Sequence, residues 1–325
     1  MRKLIISIIA WTTTSFLSVV GSPVRILSLD GGGTRGFISA LLLAEIERQT
    51  GHPITDLFDV IVGTSTGGLI AAALCSRASQ NRLSAQDVVM FYRTESTTIF
   101  PTGWWHNTKR TFGLVRSKFA TEPLERLLWE KLGEQRLSQS QRPLGLTAFE
   151  LTAGTPLMLV SHGSSADAFS DMPIALAVRA TTAAPLYFDP LHWQGKYFID
   201  GGVFANHPGL YALKYARALY PQREYRMLSL GTGMTRTSEW HTGGLLQAGT
   251  ATVQILLSSP SQVADMFLHQ EMGPNYWRFQ PDLGEIAIDL SDASPSAQER
   301  MGNMAHDLIS TSKFKALRSG FFKNT

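Results

Sequence analysis

Gly63-Thr64-Ser65-Thr66-Gly67 fits G-x-S-x-G and lies between a predicted strand, Leu57 to Val62, and a predicted Ala/Leu-rich helix, Leu69 to Cys75. A strand that turns abruptly into a helix has little room beside the turn, so small residues such as Gly63 and Gly67 flank a serine held where a substrate can reach it. Ser65 then sits near a helix amino terminus, whose unpaired N–H groups favour developing negative charge. A plain Gly/Ser/Thr turn is the bland alternative. Upstream, Gly31-Gly32-Gly33-Thr34-Arg35-Gly36 follows a strand and precedes a helix, and so also fits the G-x-G-x-x-G dinucleotide fingerprint. Against a nucleotide, Asp30 would place a carboxylate beside the pyrophosphate, and no good strand-end acid follows about 20 residues later. Glycine N–H groups serve equally as an oxyanion hole for acyl transfer, the more economical reading with a serine elbow nearby.

A serine hydroxyl needs a base. Of the eight histidines, His207, His241, His269 and His306 follow any plausible acid, but none lies in a glycine-flanked turn at a strand end, and each reads as a surface or capping residue. Asp200-Gly201-Gly202 directly follows the predicted strand Tyr197 to Ile199, which fixes a carboxylate at a strand end with free backbone beyond it. An exposed aspartate has a pKa of about 3.9 and is a poor base, so this role requires burial.

The elements that must position these groups alternate. Val24 to Leu29 is a β-rich run, and Phe37 to Gln49 is helical and stops at Gly51. With Leu57 to Cys75, two strand-loop-helix units in series predict an α/β sheet with parallel strands. Ser84 with Asp87 predicts a capped helix from Ala85, and Thr121 starts another over Glu122 to Leu132. Leu146 to Leu151 pairs with Pro156 to Ser161 around Ala153-Gly154. An Ala-rich helix follows from Ser170, then a helix over Gly209 to Tyr220, a strand over Tyr225 to Leu230, and helices over Leu245 to Leu257, Gln262 to Glu271 and Pro295 to Ser310. Phe100 to Phe119 has no period and mixes Trp104 and Trp105 with Lys109, Arg110, Arg116 and Lys118, the composition of a lid or membrane-contacting loop.

The 325 residues are 44% hydrophobic and 17% charged, enough for one large core. The net charge of +3 falls to +1 once Arg2 and Lys3 are set aside, too even for nucleic acid. The single cysteine, Cys75, excludes an intrachain disulfide and a Cys-rich metal cluster. Met1-Arg2-Lys3, the apolar run Leu4 to Trp11 and the small residues around Gly21 predict a secretory signal over residues 1–21 and an exported domain over 22–325. An anchor over residues 4–20 is the alternative.

Together the motifs resemble those of the patatin-like phospholipases: Asp30 to Gly36, Gly63 to Gly67 and Asp200 to Gly202 in order, with Ala180-Thr-Thr-Ala-Ala-Pro185, Tyr187-Phe188, Asn206 and Leu228-Ser-Leu-Gly-Thr-Gly233 between and after them. The resemblance runs from about Val24 to near residue 320. It implies a three-layer α/β/α sandwich with a mostly parallel central sheet. It also implies a dyad without catalytic histidine, Ser65 as nucleophile and Asp200 as base, with Gly31, Gly32 and Gly33 as the oxyanion hole and Arg35, Gly63, Gly67 and Gly201 in support. No cofactor or metal is implied. The implied substrates are membrane lipids, hydrolysed at fatty-acyl esters; an acyltransferase or thioesterase using the same acyl-serine is the alternative.

Overall fold

The computed structural model describes residues 21–77, 83–101, 117–163, 168–234, 260–284 and 288–323. Its centre is an eight-stranded sheet in the order β5-β6-β3-β2-β1-β7-β8, with β4 also paired to β3. The strands are β1 (Val24–Leu29), β2 (Val60–Thr64), β3 (Leu144–Glu150), β4 (Thr155–Val160), β5 (Leu191–Trp193), β6 (Lys196–Asp200), β7 (Tyr225–Leu230) and β8 (Tyr276–Phe279). From β3 to β8 the pairings are parallel, whereas β4, β5 and β6 run antiparallel to their neighbours.

Both faces of the parallel strands are covered, which is why they read as unbroken apolar runs rather than alternating ones. Leu27, Leu29, Ile61, Leu228 and Leu230 enter one hydrophobic cluster, and Val24, Ile26, Val60, Val62 and Met227 enter a second. The period of two along each strand sends alternate side chains to opposite layers. On the first face pack α1 (Gly36–Thr50), α2 (Thr66–Cys75), α3 (Ala85–Ile99), α4 (Glu122–Leu132), α5 (Ile174–Thr181) and the long helix α8 (Pro295–Ser310); on the second pack α6 (Gly209–Leu219) and α7 (260–272). The result is the expected three-layer α/β/α sandwich with a mostly parallel sheet.

Several ends follow local chemistry. Gly51 closes α1 in the left-handed region at φ 74°. Ser84 and Asp87 form a reciprocal capping box on α3, and the Ser294 hydroxyl accepts from the Ala297 N–H at the start of α8, with Pro295 at its first position. Two boundaries differ from expectation. Leu57 does not begin β2: after Pro53 the residues Ile54–Leu57 make a helical turn, and Phe58 packs on Phe321 and Phe322. The helix expected from Ser170 begins at Ile174, because Pro173 caps it in an extended conformation and holds the chain before it out of the helix. The leader or anchor (residues 1–20), the helix over Leu245 to Leu257, and Trp104, Trp105, Lys109, Arg110, Phe112 and Arg116 lie outside the described residues.

One arrangement decides where the site forms. Along one edge β3 pairs with β4 over Gly145 to Glu150; the other edge is divided between two strands. β2 runs beside Leu144 to Thr147, with Thr64 opposite Thr147. β6 arrives from the opposite direction beside Ala148 to Glu150, with Asp200 opposite Ala148. The carboxyl ends of β2 and β6 therefore meet head to head.

Helix α2 must leave this meeting point tightly. A methyl on Gly63 would collide with the Gly67 and Gly68 backbone, and one on Gly67 with the Leu29 carbonyl. Gly67→Ala is expected to lower unfolding stability by about 1–3 kcal/mol through overpacking. Urea titration checks this, and an unchanged midpoint would contradict the tight exit of α2.

Candidate active site

The elbow is strained where chemistry needs it to be. Ser65 has φ 54° and ψ −123°, a region that costs a non-glycine residue about 1–3 kcal/mol. Its neighbours hold it there: the Ser65 N–H donates to Thr181 Oγ1 at 2.9 Å, and Thr64 Oγ1 donates to the Ala205 carbonyl at 2.7 Å beside Thr147 Oγ1. Residues 61–64 and 66–68 are buried, whereas Ser65 is partly exposed to the cavity above the sheet.

Asp200 is 3% exposed and lines one cavity with Ser65, whose hydroxyl favours its ionised form. Its Oδ1 accepts the Gly202 N–H at 2.7 Å. Burial pushes the carboxyl up to about 7, and the Ser65 hydroxyl and the Gly202 N–H offset only part of that rise. Gly201 is glycine because a methyl there would strike Thr147. Ala180 to Pro185 serves as a buttress: Thr181 holds the serine backbone and the Ala183 carbonyl accepts the Asp200 N–H at 3.0 Å.

On the other side of Ser65 lies the glycine loop, which leaves β1 between β2 and β7. Its three residues are not equivalent. The Gly31 N–H donates to the Asn206 carbonyl at 3.0 Å, so it is already engaged. Gly32 and Gly33 line the cavity with Ser65 and Asp200, and Gly33 adopts φ 59°. A side chain on Gly32 would meet Thr232, and one on Gly33 the Leu290 carbonyl. Thr232 in turn donates to the Gly31 carbonyl at 2.5 Å, which explains the Gly231-Thr232-Gly233 stretch. Arg35 is 8% exposed and its Nε donates to the Gly32 carbonyl at 3.4 Å. Burial lowers its guanidinium to about 10 against the opposing pull of Asp289 and Tyr187.

Asp30 does not face the cavity. Arg278 grips it with two hydrogen bonds, 2.9 Å to Oδ1 and 2.6 Å to Oδ2, and His207 Nδ1 stands 3.2 Å from Oδ1. Burial alone would raise Asp30, but Arg278 and His207 hold it below its ordinary value. His207 Nε2 lies 2.9 Å from the Tyr276 hydroxyl, which donates to Asp265 at 2.7 Å. His207 is therefore no surface residue: it is 2% exposed and locks the base of the glycine loop, and as a capping residue its Nδ1 also accepts the Gly209 N–H at 3.3 Å at the start of α6. His269 and His306 are half exposed or more, and His241 lies outside the described residues.

Sequence reasoning also passed over Asn206 as a site residue. It lines the cavity, and its side chain occupies the space beside Ser65 that a methyl on Gly31 would enter. Its Oδ1 is buried without a hydrogen-bond partner among the described residues. The rest of the wall is mostly apolar, with Leu69, Ile99, Phe100, Leu124 and Phe188, and a few hydroxyls from Thr66, Tyr92, Ser96 and Thr182. Among the described residues no three His, Cys, Asp or Glu side chains converge as a metal-ligating group.

The patatin-like phospholipase family profile matches residues 27–213. The chain belongs to the patatin-like phospholipase family. Patatin-like protein 4 of Arabidopsis thaliana is 29% identical, over 90% of this chain and 84% of that protein. Probable inactive patatin-3-Kuras 1 of Solanum tuberosum is 27% identical, over 93% of this chain and 90% of that protein. The structure of human GIVD cytosolic phospholipase A2 in complex with methyl gamma-linolenyl fluorophosphonate covers 93% of this chain and 59% of its own at 11% identity, with a TM-score of 0.46.

Two stability measurements check the site's electrostatics. Arg278→Met strands the Asp30 carboxylate, and removing one partner of a buried pair costs about 3–5 kcal/mol; a loss under about 1 kcal/mol in urea would contradict the pairing. Asp200 titrates at about 7 folded and near 3.9 unfolded. The folded chain thus holds a proton that the unfolded chain has released, and stability falls as pH rises between those values. Asp200→Asn removes that slope, so its stability advantage over wild type should grow from about pH 4 to pH 8 by on the order of 4 kcal/mol. A constant difference across that range would contradict the buried carboxylate.

Proposed function

We propose that this lipid acyl hydrolase works through a Ser65-Asp200 dyad, with the Gly32 and Gly33 N–H groups as oxyanion donors and membrane lipids as substrates. The observation that carries this reading is a buried carboxylate, Asp200, set against the Ser65 hydroxyl in one cavity and pushed by burial to about 7. A base is most effective when its pKa is close to the working pH, and burial supplies that here without a histidine. Ser65 Oγ attacks the ester carbonyl and its proton passes to Asp200. The tetrahedral oxyanion forms against Gly32 and Gly33, with the amino terminus of α2 adding its dipole. Asp200 then gives the proton to the departing alcohol, leaving an acyl-Ser65. Water resolves the acyl-enzyme by the same path in reverse. Another nucleophile in its place would make the protein an acyltransferase, and a thioester substrate would make it a thioesterase.

The mostly apolar wall supports a fatty-acyl substrate, since ligand cavities of this kind bind by removing hydrocarbon from water. Gly31 retains a part as the hinge of the loop, its N–H anchored to Asn206 and its carbonyl to Thr232. Arg35 and the glycines Gly63, Gly67 and Gly201 position the groups that react.

Mass-spectrometric analysis of products from mixed phospholipid and galactolipid vesicles tests the reading. Wild type should release free fatty acid, and Ser65→Ala and Asp200→Asn should each lose about 100-fold or more in rate. Wild-type rates from a folded Ser65→Ala protein would refute the assignment, and acyl transfer to an alcohol in preference to water would favour the acyltransferase. Because Asp200 must be ionised to accept the proton, kcat/KM should fall about tenfold per pH unit below about 7. A profile flat from pH 5 to pH 8 would remove Asp200 as the base.

A further inference from the structure

The cavity at Ser65, about 120 Å³, is one of two that α2 and α3 border. A second, about 260 Å³, lies between α2, α3 and α4. The two share two wall residues, Leu69 and Phe91. Leu69 stands one helical turn beyond the nucleophile, its N–H donating to the Ser65 carbonyl at 3.0 Å. Ala73, one turn further along α2, lines the second cavity alone. The second space therefore adjoins the first across Leu69 and Phe91, on the side leading away from Ser65 along α2.

The floor of this groove is hydrocarbon, formed with Ala73 by Leu83, Val88, Leu127 and Leu128. Of its charged residues, Asp87 and Lys131 are exposed and Glu95 is half-buried, and none belongs to that floor. Phe91 and Leu69 are only partly buried, and Met90 on the same groove is 46% exposed. Apolar surface left open in a recess is covered at a gain when an apolar ligand enters. The wall it shares with the serine cavity names the ligand: a long, uncharged alkyl tail already held at its carbonyl end.

We propose that the groove between α2, α3 and α4 is a second acyl compartment, which takes the distal methylenes of a long fatty-acyl chain whose carbonyl sits at Ser65, with Leu69 and Phe91 as the threshold. The inference rests on the acyl-hydrolase reading of Ser65 and adds a determinant of chain length to it.

Binding of monomeric palmitate and octanoate to the full chain carrying Ser65→Ala reads the compartment without turnover. Each methylene removed from water is worth roughly fourfold in affinity, so palmitate should bind at least about tenfold more tightly than octanoate. Ala73→Met fills the floor of the groove and should cut that preference to under about threefold. Thr94→Trp, at an exposed position on the rim, should act in the same direction and serves if Ala73→Met does not fold. Phe91→Ala removes the threshold and should keep or widen the preference. A palmitate-to-octanoate ratio unchanged in the folded Ala73→Met and Thr94→Trp proteins overturns the proposal. Absence of wild-type hydrolysis with the expected binding ratios would overturn the dyad and uphold the compartment.

Discussion

Two strands share one edge of β3, and their carboxyl ends meet there: Thr64 stands opposite Thr147, and Asp200 opposite Ala148. Ser65 and Asp200 are 135 positions apart in the chain, yet the ladder hydrogen bonds of β3 fix their separation as firmly as those of a single strand would. Other features of the site conform to this junction. The glycines of the elbow let α2 leave without striking β1, Gly201 lets the chain turn away over Thr147, and Thr181 and Ala183 tie both backbones from above. Because β1 is the next strand beyond β2, the glycine loop falls on the side of Ser65 away from Asp200. Asp200 and the glycine loop thus flank Ser65 by the order of the sheet alone.

The chain uses the tripeptide Asp-Gly-Gly twice, at Asp30 and at Asp200, and the two carboxylates have opposite fates. Both are buried. Asp30 faces a guanidinium and an imidazole and is held below its ordinary value, so it remains an anion that anchors the glycine loop. Among the described residues Asp200 faces a hydroxyl and an N–H but no cation, and it is pushed up to about 7. The difference comes from β8, which places Arg278 opposite Ser229 and against Asp30. A cation beside one carboxylate makes a fixture; its absence beside the other suits a base.

That contrast also marks the limit of what the sequence discloses. The elbow, the strand-end aspartate and the parallel core were legible because each has a local cause: small residues around a turn, a carboxylate directly after a strand, and apolar runs buried on both faces. The network of Arg278, His207 and Tyr276 was not, because Tyr276-Trp277-Arg278-Phe279 carries a charge that breaks the apolar signature of a buried strand, and its reason lies on β1. His207 looked like a surface or capping residue because its aspartate partner is far away in the chain. The Gly31-Gly32-Gly33 run was legible as a loop, but its division into one anchored and two cavity-lining glycines depends on Asn206 and Thr232, which are brought in by β6 and β7.

The central claim, a serine activated by a carboxylate that burial has brought to neutrality, is tested most directly by labelling with an alkyl fluorophosphonate and locating the adduct by peptide mass spectrometry as pH is varied. The account predicts one adduct, on Ser65, forming at a rate that rises with pH and levels off above about 7, and none of comparable rate in Asp200→Asn. An adduct on a different residue, or a Ser65 rate that ignores both pH and Asp200→Asn, would contradict it.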